Sequence, residues 1–219
     1  MSDFLKSTVG RKYIMGLSGA IWAGFVFGHM AGNMLIFVSK DAYNSYGHFL
    51  TSGYFIYFIE ALLVTMLLAH IVSAITLVVQ NRRARPQGYF VSACSEKNAS
   101  LASRTMAVQG SVILAFVVLH LMTFKFGTYY ETTVNGVVMR DLARLVYEVF
   151  QQPIYVAGYF FSLFVLGFHL RHGISSIFQS FGWTGAYQNQ IAKKLGVFYG
   201  AVVAAGFISQ PLYVYFFAS

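Results

Sequence analysis

Charge is the scarcest property of this chain. Only 10% of its 219 residues are Asp, Glu, Lys or Arg, where a soluble domain carries about a quarter. By contrast 57% are hydrophobic and 18% aromatic, and the mean hydropathy is +0.61. This balance excludes a soluble globular domain and points to an integral membrane protein. Cysteine is nearly absent, with Cys94 standing alone. One thiol makes no intrachain disulfide, holds no iron–sulfur cluster and leaves no Cys-x-x-Cys-His motif for covalent haem attachment. No glycine-rich dinucleotide fingerprint follows a strand, and no clear internal repeat is visible. The N-terminus does not read as a signal peptide: Met1 to Lys12 is polar, and the apolar run behind it is too long for an h-region.

Long apolar runs are what the chain does have. Five are near or above the roughly 18–20 residues a span needs: about 13–38, 53–80, 105–124, 153–178 and 195–217. The fourth reaches residue 178 only if its helix continues past Arg171. Backbone groups in lipid must satisfy one another, and unbroken apolar runs exclude the alternation of a barrel, so the spans read as helices. The expectation is a single all-α membrane domain with five transmembrane helices. Lys6, Arg11, Lys12, Arg82, Arg83, Arg85, Lys97, Arg104, Arg171, Lys193 and Lys194 fall on one side, opposed only by Asp3 and Glu96. The positive-inside rule then places the N-terminus in the cytoplasm, in a multi-pass protein of the cytoplasmic membrane. The net charge of +8 describes this topology. Its basic residues flank spans and form no nucleic-acid-binding face.

Four of the six histidines, His29, His70, His120 and His169, each lie deep in a different run. An ionisable residue in hydrocarbon is costly and marks a functional site by default. At 1.5 Å per residue, His29 lies roughly 24 Å along the first span and His70 roughly 26 Å along the second, which runs the other way. The same arithmetic puts His120 in the outer half and His169 in the inner half. The expected pairs are His29 with His120 and His70 with His169, the pattern of axial ligands for two haems stacked across a membrane. Any single histidine could equally be a packing residue bonded to a neighbouring helix. Gly16, Ala20, Gly24, Gly28 and Gly32 form one smooth stripe, which suits either close helix approach or a flat macrocycle. Glu60 in the second span is either protonated, paired or water-facing, or it simply rims the interface.

The runs "FGHMAGNMLIF", "DAYNSYGHFL", "LLAHIVSAITL", "VVLHLMTF" and "LGFHLRHGISSIFQSFGW" resemble the dihaem cytochrome b anchor of succinate:quinone oxidoreductases and quinol:fumarate reductases. The resemblance extends from about Arg11 to Phe217. It implies five spans, two haems b, and metal ligands matching His29, His70, His120 and His169. His169 lies thirteen residues before Gly182, the spacing that resembles the family's ligand. His172, one turn on, is then a polar neighbour that could reach a haem propionate, for which Arg11, Arg82, Arg104, Arg171 and Lys193 are further candidates. The resemblance also implies an iron–sulfur subunit and a FAD flavoprotein bound on the cytoplasmic side, with Asn81–Arg104 and Phe178–Lys194 as the contact surface.

A quinone, menaquinone or ubiquinone, would be the substrate. Its site is expected beside the outer haem, with Asn33 as carbonyl donor, Glu60 as proton carrier and His48 in the adjoining loop. Some related fumarate reductases carry a glutamate two residues before the fourth ligand, where this chain has Gly167. Two other readings stay open: a haem b subunit of a hydrogenase or formate dehydrogenase, and a proton-coupled transporter with a histidine relay.

Overall fold

The computed structural model describes residues 7–84, 105–183 and 185–218. Among them, five helices are long and apolar enough to cross a membrane. Helix α1 (Thr8–Asn33) starts where the Ser7 hydroxyl accepts from the Gly10 N–H at 3.0 Å, a side-chain N-cap. It ends in a 3-10 turn, Met34–Phe37. Helix α2 (Lys40–Thr51) occupies the stretch expected as a loop. Helix α3 (Phe55–Arg83) is the second span. Helix α4 (Met106–His120) is the third, and it continues as one turn of π-helix, Leu121–Lys125.

A two-stranded antiparallel hairpin follows, β1 (Glu131–Val134) and β2 (Val137–Arg140). Its turn is Asn135-Gly136, both with positive φ (51° and 79°), the pairing a two-residue type I′ turn requires. Asp141 caps helix α5 (Leu142–Phe150) through the Arg144 N–H at 3.0 Å. Helix α6 (Pro153–Ser180) opens on a proline, whose missing N–H costs nothing in a first turn. It runs unbroken past Arg171, so the fourth span takes its longer form. Helix α7 (Ala186–Phe217) begins at Ala186 rather than at 195 and carries Pro211 inside it. The architecture is that of a multi-pass α-helical membrane protein with a small hairpin in one connection.

The spans do not pack evenly. Helices α6 and α7 form the most extensive contact, α3 leans mainly on α1, α4 mainly on α6, and α3 and α4 barely meet. The α6–α7 contact is close because side chains are missing. A methyl on Gly167 would come within 2.9 Å of the Ala204 Cβ, and one on Gly200 would lie 3.1 Å from the Arg171 nitrogen. Gly196 likewise faces the Arg171 carbonyl. Gly196, Gly200 and Ala204 form a small-xxx-small row that lets the backbones touch. The large apolar side chains that remain point outward: Leu68, Val72, Val118, Leu119 and Phe164 are all more than half exposed. A helix apolar on its outer face as well as its inner one suits a lipid surround.

The densest core lies at one end of the bundle. There α5 buries Ala143, Leu145, Val146, Val149 and Phe150 against Ile36, Tyr43, Val156, Tyr159 and Val214. Asn44, 2% exposed, locks this cap. Its amide donates to Asp141 at 2.8 Å and accepts from the Ala143 N–H at 2.8 Å.

Replacing Gly200 by Leu should force α6 and α7 apart and lower stability by about 1–3 kcal/mol or more. Thermal unfolding in detergent measures it. Gly158→Ala is the control, because a methyl there meets nothing within 4 Å.

Candidate functional site

The bundle brings the deep histidines together in two pairs. His29 of α1 and His120 of α4 have ring centres 5.8 Å apart, with planes at 83°. His70 of α3 and His169 of α6 have centres 6.4 Å apart, at 67°. Two imidazoles on opposite sides of one metal ion, each bonded at about 2 Å, hold their ring centres roughly 6 Å apart. Both pairs have that spacing.

Two helices give the distance between the layers. On α1, Ser18 touches His70 of one layer and His29 belongs to the other. On α6, Tyr159 touches His120 and His169 belongs to the opposite layer. Ten or eleven residues at 1.5 Å each put the layers roughly 15 Å apart. Aromatic rings wall the His29–His120 layer. Phe25 stacks on His29 at 5.5 Å, Phe207 lies at 5.7 Å, and Phe124 lies 5.4 Å from His120. His120 is also the last residue before the π-turn, a local insertion that often accompanies functional positions.

The structure separates His169 from His172. The His172 Nε2 bonds the Ser176 hydroxyl at 3.0 Å, one turn along its own helix, while His169 faces His70. The His169 Nδ1 is buried without a hydrogen-bond partner. Buried polar atoms are nearly always paired, so this one calls for an explanation. Among the described residues no three His, Cys, Asp or Glu side chains gather at one point. Each pair therefore offers two nitrogens, with no third side chain of these four types beside it among the described residues.

The glycine stripe on α1 divides. At its ends a methyl on Gly16 would meet the Ser180 Cβ of α6 at 3.3 Å, and Gly32 lies under the Tyr46 ring. In the middle, a methyl on Gly24 or Gly28 would meet nothing within 4 Å. The ends serve helix packing, and the middle leaves a flat, unfilled surface.

The residues expected around a quinone are placed differently from one another. Glu60, in the second turn of α3, is ion-paired with Lys125 at the end of the π-turn, and both side chains are about 40% exposed. Asn33 is engaged on both ends of its amide. It donates to the His29 carbonyl at 2.8 Å and accepts from the Tyr43 hydroxyl at 2.6 Å. Burial pushes that hydroxyl above its ordinary range, so it stays a donor. Asn33 thus joins α1 to α2. His48 sits half-buried in the last turn of α2, without a hydrogen bond or ring contact to either pair among the described residues.

Gly167 faces α7 at close quarters, so no glutamate fits there without opening the α6–α7 contact. Of the basic residues considered for propionates, Arg11, Arg82 and Lys193 lie toward the helix ends on the His70–His169 side, and Arg171 lies within α6, two residues past His169. Lys193 lines an open groove with Lys194, Val197 and Phe198 on the outer side of α7. Arg104 and most of the expected contact surface Asn81–Arg104 lie outside the described residues, as does Thr184 within the second one.

Sequence reasoning missed the partners of these residues. Lys125 for Glu60, Tyr43 for Asn33, and the hydroxyls of Ser18 and Tyr159 for His70 and His120 all come from other helices. For Ser18 a signal existed. It lies eleven residues before His29, about three turns, hence on the same face of α1. Compared with known proteins, the chain matches no family model, no curated protein and no solved structure.

Tyr43→Phe should leave the half-buried Asn33 side-chain oxygen without this donor and cost about 1 kcal/mol. A lowered melting temperature in detergent, with the α-helical signal unchanged before the transition, is the expected result.

Proposed function

We propose that this chain is the membrane-anchoring dihaem cytochrome b subunit of a succinate dehydrogenase or quinol:fumarate reductase, carrying electrons between an iron–sulfur subunit and a membrane quinone. The observation that carries the reading is the pair of two-histidine layers. A metal given only two protein nitrogens needs its other ligands from a group that brings them along, and haem b does so with four. The residues present fit such a group in three respects. The ring spacings match two axial imidazoles, the Gly24–Gly28 surface leaves room for a flat ring, and the buried His169 ring has a nitrogen without a protein partner.

His29 and His120 would hold one haem, His70 and His169 the other. When bound, haem supplies a one-electron iron couple. The chain's own part is to hold the four imidazoles, keep water from them with Phe25, Phe124 and Phe207, and space the layers. A separation of roughly 15 Å divides a hydrocarbon core of about 30 Å into shorter transfers. The basic ends of the helices would face the cytoplasm. There the iron–sulfur and FAD subunits would dock against Phe178–Lys194 and the connection before Arg104. The quinone would react beside the His29–His120 layer, since two stacked centres are needed only if electrons cross most of the membrane. Glu60 is the proton carrier in this reading, and its pairing with Lys125 keeps a carboxylate available at that end of the bundle. Asn33 accepts from Tyr43 and donates one amide N–H to the His29 carbonyl, and its second N–H would be the donor to the quinone carbonyl in this reading.

Purified chain should contain close to two non-covalent haems by a pyridine assay, with b-type bands in the reduced-minus-oxidised spectrum. His70→Ala or His169→Ala should remove one haem, and His29→Ala or His120→Ala the other. A preparation without haem would point to the histidine-relay transporter. Haem without co-purifying iron–sulfur and flavin subunits would point to another respiratory oxidoreductase. Glu60→Gln should cut quinone-linked turnover by about 10²-fold or more, while both haems and dye-linked succinate activity persist. Unchanged turnover removes Glu60 from the site.

A further inference from the structure

In each layer, the histidine on the outlying span is touched by a hydroxyl from the helix it leans on. His70 of α3 has its Nδ1 3.2 Å from the Ser18 hydroxyl of α1. His120 of α4 has its Nδ1 3.1 Å from the Tyr159 hydroxyl of α6. Helices α3 and α4 barely touch each other, so each ring is oriented from the helix it leans on.

The Ser18 geometry decides where a proton sits. Its oxygen lies 2.7 Å from the Ile14 carbonyl and 3.2 Å from that of Met15. A hydroxyl has one hydrogen, and carbonyls only accept, so the Ser18 hydrogen is committed to its own helix. Toward His70 its oxygen acts as an acceptor. The His70 Nδ1 then carries the ring proton, and Nε2 presents a bare lone pair. Ser18 is 2% exposed, so water does not compete. Gly19 beside it clears the approach: a methyl there would press on the His70 Cε1 at 3.4 Å. Tyr159, in the cap core between Phe116, Phe124 and Phe150, holds its hydroxyl against the His120 Nδ1 and so fixes the direction of that ring.

We infer that Ser18 and Tyr159 are positioning residues: Ser18 holds His70 as an Nδ1-protonated imidazole that turns Nε2 toward its layer, Tyr159 fixes the direction of the His120 ring, and each acts on one centre independently of the other. The inference rests on the haem reading above for what Nε2 binds. A ligating histidine whose second nitrogen donates a hydrogen bond is a better electron donor to its metal. Its loss weakens the hold on the oxidised iron and raises the potential.

Potentiometric titration and low-temperature EPR of the purified, haem-loaded chain test this. Ser18→Ala should change the equilibrium of the His70–His169 haem about tenfold, an upward shift of about 59 mV for one electron, or release that haem alone. The other haem should stay unchanged. Tyr159→Phe should change the EPR spectrum of the His29–His120 haem only, or release that haem alone, and Ser18→Thr should keep the original potential. Unchanged potentials and EPR spectra in both variants would overturn the inference, as would equal shifts of both haems in either one. Failure of the haem reading looks different: the wild-type chain itself would carry no haem. In that case ¹⁵N shifts of labelled histidine report the tautomers directly. An Nδ1–H form of His70 that is lost in Ser18→Ala upholds the inference, and an Nε2–H form in the wild type overturns it.

Discussion

A polar group inside an apolar bundle has to find its partner within the protein, and that constraint organises this molecule. Water is not there to help, so a buried imidazole, amide or hydroxyl bonds its own helix, as Ser175 does, ties two elements together, or stays unpaired at a cost. Ser18 ties α1 to α3, Tyr159 ties α6 to α4, and Asn33 with Tyr43 ties α1 to α2. The Trp22 indole adds a bond to the Leu63 carbonyl, and the Tyr199 hydroxyl one to the Ala23 carbonyl. Large apolar side chains set little register here, because lipid competes with every apolar face on equal terms. The polar links set it, together with the close small-residue contact of α6 and α7.

The packing that surrounds them is of two kinds. Helices α1, α6 and α7 form a trunk in which small residues bring backbones close, as at Gly167, Gly200 and Gly206. Helices α3 and α4 lie against that trunk with few buried side chains, Ser73 and Leu77 on one and Gln109 on the other. The histidine pairs bridge the two kinds of helix, one ring from the trunk and one from an outlier in each layer. A centre held in this way is fixed on one side by packing and on the other by hydrogen bonding. The cap of α2, the hairpin and α5 closes one end, and through Tyr159 its core reaches His120 directly.

The sequence by itself determined the five apolar helices, their alternating directions and the depth of each histidine, because helical rise and a 30 Å core leave little freedom. It also determined which histidines could meet, since depth is a one-dimensional quantity. What the tertiary structure alone decided is what lies around each helix axis. It set His169 rather than His172 toward His70, paired Glu60 with Lys125, engaged Asn33 with Tyr43, and turned Gly167 into a packing contact with α7. Angular position depends on which neighbour packs where, and lipid-facing and partner-facing residues are equally apolar, so periodicity carries no such signal in these spans. The connection between the third and fourth spans was legible in part: Asn135-Gly136 between apolar pairs announces a hairpin. The helical form of Lys40–Thr51 was not, because Asn44 stabilises it only through Asp141 and Ala143, nearly a hundred residues away.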